Sequence, residues 1–128
     1  MEHIVSHATK SANLPFSDAV RVGDMLYLAG ALGAVPGTMK IVPGGIEAET
    51  RQMMENIART LNEQKLSFDN LVRCTVFLTN MSEWSKFNQV YVPYFTPGKL
   101  PVRSALGVTA LALGACVEME CTATFATK

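Results

Sequence analysis

Cysteine is scarce and odd in number. There are three, Cys74, Cys116 and Cys121, with no CxxC pair and only His3 and His7 to join them as nitrogen ligands. A zinc site needs four donors at short, characteristic spacings, so no metal is expected. Neither sign of charge is in excess: eleven basic residues face eleven acidic ones. Nucleic acids and anionic membranes attract proteins through a basic field, so neither is an expected partner. Long hydrophobic runs are also missing, and nothing approaches the roughly 20 apolar residues that cross a bilayer. With no secretory apolar segment, these features predict reduced, buried thiols in a cytoplasmic protein or an organelle matrix. Repeats, low-complexity tracts and charge blocks are absent too.

What is present suits a globular chain. The 128 residues, 48% of them hydrophobic, predict one domain over 1–128. A domain of this size buries roughly two thirds of its unfolded surface and needs no disulfide or metal to hold together.

Local pattern supplies the elements. Ala19-Val20-Arg21-Val22 and Met25-Leu26-Tyr27-Leu28-Ala29-Gly30 flank Gly23-Asp24, which predicts a β-hairpin within Asp18 to Leu32. An edge strand is expected before it, over His3 to His7. Residues 33–45 carry Gly33, Gly37, Gly44, Gly45, Pro36 and Pro43 and read as a loop. Ile46, Met53, Met54, Ile57, Ala58 and Leu61 then recur at helical spacing, predicting a helix from about Ile46 to Leu66. The Met53-Met54 pair reads as core rather than as a ligand surface.

Leu71 to Thr79 is rich in β-branched and aromatic residues and reads as a buried strand. Ser82 is the expected N-cap of a second helix. Trp84, Phe87, Tyr91, Tyr94 and Phe95 give that helix an aromatic stripe, read as core, and Pro93 kinks or ends it. Two strands close the chain, Val102 to Thr109 and Ala115 to Phe125. In the second, Glu118, Glu120 and Thr122 alternate with Val117, Met119 and Cys121, leaving one polar face. Two helices on one face of a mixed sheet is the economical packing.

The last third also carries the chemistry. Arg103 opens an otherwise apolar strand, and its planar fork suits a carboxylate. A hairpin turning near Ala112 to Gly114 would bring Arg103 and Glu118 towards each other across the sheet. Glu118 could then exchange a proton with a water. A surface cross-strand ion pair is the plainer alternative.

The run Pro101-Val102-Arg103-Ser104-Ala105-Leu106-Gly107-Val108, followed by Leu111, Leu113-Gly114-Ala115 and Val117-Glu118-Met119-Glu120, resembles the C-terminal signature of the Rid (reactive intermediate deaminase) family, also called YjgF/YER057c/UK114. Gly23 to Gly30 resembles the family's early strand, and Thr50 to Asn56 with Leu71 to Leu78 its central helix and strand. The resemblance implies an α+β, chorismate-mutase-like fold and a homotrimer with three clefts between subunits. It implies hydrolysis of enamine and imine intermediates, such as 2-aminoacrylate and 2-iminopropanoate, to 2-keto acids and ammonia, with no cofactor or metal. Arg103 would bind the carboxylate of the α-imino acid, and Glu118 would handle the water and the leaving ammonia. Asn88, Phe16, Ala29, Gly30 and Ala105 would line the cleft.

Three of those positions depart from the family pattern. Phe16, in Leu14-Pro15-Phe16-Ser17, replaces a Tyr; Ala29 replaces a Ser; Ala105 stands where Cys is frequent. Fold and carboxylate binding do not depend on the lost groups, whereas rate and substrate range do. A non-catalytic binding protein for small 2-keto or amino acids is therefore the alternative. Ribonuclease activity, attributed to some relatives, fits poorly with zero net charge and with no histidine pair to supply acid–base chemistry near pH 7, and a chaperone-like role is a further alternative.

Overall fold

The computed structural model describes residues 1–126. Its strands are β1 (Glu2–Ile4), β2 (Ala19–Val22), β3 (Met25–Leu28), β4 (Ala31–Leu32), β5 (Leu71–Leu78), β6 (Val102–Gly107) and β7 (Val117–Thr124). Its helices are α1 (His7–Ser11), α2 (Gly45–Glu63) and α3 (Trp84–Tyr91). The strands form one sheet in the order β1-β2-β3-β7-β5-β6, with β4 also pairing to β7. The β5–β6 pairing is parallel and the others are antiparallel. This is the expected α+β, chorismate-mutase-like architecture.

Alternation along the strands separates the two faces of the sheet. Cys74, Val76 and Leu78 of β5 are buried with Val117, Met119, Cys121 and Ala123 of β7. They meet Met53, Met54, Ile57 and Leu61 of α2, and Phe87 and Tyr91 of α3, in one core. Burying such a side chain contributes about 1.5–3 kcal/mol, so a charge at Met53 would break the α2 seam. Tyr94 Oη donates to Glu55 Oε1 across 3.0 Å, tying the segment after α3 to α2. The opposite face is not covered by α2 or α3. On it Tyr27 and Leu106 are both 48% exposed.

Several expectations need adjusting at their ends. The first strand stops at Ile4 because Ser6 caps α1, its Oγ accepting from Thr9 N–H. The Asp18 carboxylate accepts from Ser6 N–H and Thr9 Oγ1, fastening that turn to the start of β2. Ser82 does not cap α3, whose N-cap is Glu83 with no side-chain hydrogen bond; the capping side chain lies one 3-10 turn earlier. Asn80 Oδ1 accepts from Ser82 N–H and opens a 3-10 turn, Met81–Glu83, that leads into α3. As Pro93 requires, α3 ends at Tyr91, and Val92–Tyr94 continues as a 3-10 turn.

The main correction concerns strand order. Val102–Gly107 and Val117–Thr124 do not form a hairpin, because β5 lies between them. Strand β5 buries Leu71, Cys74, Val76 and Leu78 in the core and gains from partners on both sides. Strand β6 is left at the edge. Nine residues link it to β7 through a 3-10 turn, Ala112–Gly114, in which Leu113 (φ 61°) and Gly114 (φ 71°) are left-handed.

Candidate active site

Strand register places the two candidate catalytic residues on different faces. Arg103 is the parallel partner of Cys74, so its side chain leaves the sheet on the helix-covered face. Glu118 is the partner of Phe77 and projects from the other face. The structure therefore keeps Arg103 and Glu118 of one chain apart. Each sits in its own group of residues.

The arginine's group is built by β5, β6 and α3. Arg103 Nη1 donates to Asn88 Oδ1 at 2.7 Å. The guanidinium carbon lies 4.9 Å from the Tyr91 ring centre and 5.5 Å from that of Phe87. Those rings stack on each other 5.3 Å apart. Asn88 falls between Phe87 and Tyr91 in sequence, so one helical turn provides a polar acceptor and two cation–π faces. Pro93, by ending α3, sets where that turn stops. Among the described residues, the side-chain partner of the Arg103 guanidinium is thus neutral. Half-buried Ala105 follows on the same face of β6.

The aromatic stripe read as core is core and more. Phe87 and Tyr91 are buried, and they also carry the arginine. Residue spacing offered no signal for that second role. The Tyr91 hydroxyl is buried with no hydrogen-bond partner. Burial first, then the nearby Cys74 thiol, pushes it well above the usual phenol range.

The glutamate's group is built by β7 and the β3–β4 connection. The chain bends at Ala29-Gly30 between Leu28 and Ala31, where β4 takes up pairing with Glu118 and Met119. Gly30 lies directly over the Glu118 side chain, and a methyl group there would overlap Glu118 Oε2. Glycine allows this close approach without displacing the Glu118 carboxylate, and without an unusual φ. Burial, and secondarily the negative charge of Glu120, pushes the Glu118 carboxyl up from the ordinary carboxylate range. A carboxyl so placed holds its proton to higher pH, which suits a group that both takes and gives protons. Half-buried Ala29 adjoins it and donates its backbone N–H to Asp18 O at 2.9 Å. Phe16, two residues before Asp18, is 50% exposed.

Among the described residues no cluster of three or more His, Cys, Asp or Glu could hold a metal ion. No helix of the described residues is long and apolar enough to cross a membrane.

Comparison with known proteins bears on this arrangement. Residues 6–125 match the family model described as Endoribonuclease L-PSP. The mouse 2-iminobutanoate/2-iminopropanoate deaminase is 38% identical over 106 residues, covering 83% of this chain and 78% of that protein. This chain belongs to the Rid family. Protein DfrA of Myxococcus xanthus is a further relative, 40% identical over 108 residues, 83% of this chain and 82% of its own length. The crystal structure of RidA from an Antarctic Psychrobacter superposes with a TM-score of 0.87 at 31% identity, covering 97% of this chain and 99% of that one. The Rid family thus includes proteins named as imine deaminases, and its fold is the one described above.

Proposed function

We propose that this protein hydrolyses small α-imino acids to 2-keto acids and ammonia in a site completed by two copies of the chain. The carrying observation is the opposite-face placement of Arg103 and Glu118. A substrate of a few atoms cannot touch both within one chain. It can if the arginine edge of one copy, β6 with α3, approaches the open face of another, which bears Glu118 and Gly30. The half-exposed Tyr27 and Leu106 on that face favour burial against a neighbour. A closed ring of three copies gives three equivalent clefts, and the protein is a cytoplasmic homotrimer in this reading.

The chemistry asks little beyond placement. Arg103, held through Nη1 by Asn88, presents its remaining N–H groups to the substrate carboxylate as a fork. The imine carbon is electrophilic, more so once its nitrogen is protonated. Glu118 takes a proton from a water as that water's oxygen bonds to the imine carbon. It returns the proton to nitrogen as the C–N bond breaks. Ammonia leaves, and the hydroxyl gives its proton to Glu118 as it collapses to the keto oxygen. Phe16, Ala29 and Ala105 contribute surface without hydroxyl or thiol. That favours, as the second reading, a cleft that binds a 2-keto acid without turnover.

The test is release of ammonia and pyruvate from freshly generated 2-iminopropanoate. The expected result is catalysed release, lost in Arg103→Ala and in Glu118→Gln. Binding of pyruvate with no catalysed release in the parent protein would support the second reading. Neither binding nor release would overturn both.

A further inference from the structure

The imine chemistry leaves one pair of reactive groups unused. Cys74 and Cys121 are direct register partners on β5 and β7. Both are unlinked and buried on the helix-covered face. Their Sγ atoms are 3.1 Å apart, about 1 Å more than a disulfide bond length. Directly opposed residues of an antiparallel pair have Cα atoms about 4.5–5.5 Å apart, inside the span that disulfides bridge. We propose that Cys74 and Cys121 are a site of reversible oxidation, a dithiol that a small peroxide converts to a cross-strand disulfide.

The surroundings divide the labour between the sulfurs. The contact with the Cys121 sulfur, and after it the positive charge of Arg103, the register partner of Cys74 on β6, hold the Cys74 thiol below its ordinary range against burial. Cys121 is pushed the other way, first by the contact with Cys74 and then by burial. Cys74, which has the Arg103 charge beside it on β6, is the attacking thiolate, and Cys121 is the resolving thiol. The Cys74 sulfur attacks one peroxide oxygen and the O–O bond breaks, giving a sulfenic acid; the leaving hydroxide takes a proton to become water. The Cys121 sulfur then bonds to the Cys74 sulfur, expelling that oxygen as a second water with the Cys121 proton. Two thiols lose two protons and two electrons, and one peroxide becomes two waters. Both cysteines are buried, so the oxidant must be small.

Cys116 is the built-in contrast. It is more exposed than either partner, yet its thiol is pushed up to about 12 by burial and by the Glu49 carboxylate beside it. Exposure alone predicts that Cys116 oxidises first; the geometry predicts the reverse.

The experiment treats the folded protein with hydrogen peroxide, quenches with N-ethylmaleimide and maps the peptides by mass. The expected product is a linked Cys74–Cys121 peptide, released by dithiothreitol, with Cys116 still alkylated. In Cys121→Ser the reaction should stall at a Cys74 sulfenic acid that dimedone traps, and Cys116→Ser should leave the linked peptide unchanged. The proposal is overturned if Cys116 oxidises while Cys74 and Cys121 remain thiols. Formation of the link only after urea unfolding overturns it equally.

Discussion

Arg103 Nη1 donates to Asn88 Oδ1 at 2.7 Å, fastening the edge strand β6 to helix α3. The acceptor is an amide rather than a carboxylate, and that choice has a consequence. A neutral partner orients the guanidinium without neutralising it, leaving the charge for a ligand. Asn88→Asp keeps the shape and the hydrogen bond but supplies an internal carboxylate in place of the ligand's. Affinity for 2-ketobutyrate should fall at least about tenfold, ~1.4 kcal/mol, with thermal stability unchanged or raised. Asn88→Leu, which frees the guanidinium to wander, should weaken binding less. Calorimetric titration of the two variants decides the matter. Equal affinity in Asn88→Asp and the parent would mean Arg103 does not hold the ligand.

Gly30 makes a test that separates site from fold. A methyl group at Gly30 meets the end of a flexible side chain, Glu118 Oε2, rather than backbone. Glu118 can swing aside, so Gly30→Ala should fold with a melting temperature near that of the parent. Its carboxylate, however, is then displaced from the substrate side of β7. Imine hydrolysis should drop to the level of Glu118→Gln, while 2-keto acid binding through Arg103 changes little. A Gly30→Ala protein with parental turnover would remove Glu118 from the mechanism.

The raised Glu118 carboxyl also makes stability depend on pH. Its folded value lies above the ordinary carboxylate value, about 4.3, because of burial and then Glu120. Between those two values the folded state holds a proton that the unfolded state has released. Stability therefore falls as pH climbs through that window. The burden is fully present above the folded value and absent below the unfolded one. Glu118→Gln should accordingly unfold at higher urea than the parent at neutral pH, with the difference gone below about pH 4. An equal difference at both pH values would point to a packing effect instead.

Much of the fold is legible in short stretches. Gly23-Asp24 marks the β2–β3 turn because only a few residues accept its backbone, and Gly23 indeed has φ 60°. The spacing of Met53, Met54, Ile57 and Leu61 marks the buried face of α2, and all four are buried. What local pattern does not carry is which strand sits next to which. Consecutive strands are neighbours in most sheets, and that tendency put β6 beside β7. Strand β5 took the place between β6 and β7, and with it went the expected contact between Arg103 and Glu118.

The site divides in the same way. Arg103 stands out from sequence because a charge in an otherwise apolar strand has few structural uses, whereas Glu118 shares a polar face with Glu120 and Thr122 and is singled out by the family resemblance. The supporting roles of Tyr91 and Phe87 do not, because a ring that packs in the core and a ring that carries a cation have the same helical spacing. The approach of Cys74 to Cys121 is hidden for a further reason. It joins residues 47 positions apart, and only the β5–β7 register aligns them. Ser82 and Asn80 are both good caps, and Asn80 takes the role because it stands one residue before the 3-10 turn that leads into α3.

If Arg103 and Glu118 serve one substrate from different copies, two dead variants should repair each other. Arg103→Ala chains carry an intact Glu118 face, and Glu118→Gln chains carry an intact arginine edge. Within a closed ring, each cleft takes its arginine from one chain and its glutamate from the neighbour. Dissociating the two variants, mixing them in equal amounts and reassembling them gives clefts of four kinds. One kind has both native residues, so about a quarter of the parental activity should return. Mixing without subunit exchange should give none. Recovery is impossible if a single chain supplies both residues, because every cleft then lacks one of them. Activity that stays at the level of the separate variants, in mixtures shown by mass spectrometry to contain mixed trimers, would return both roles to one chain and overturn the shared cleft.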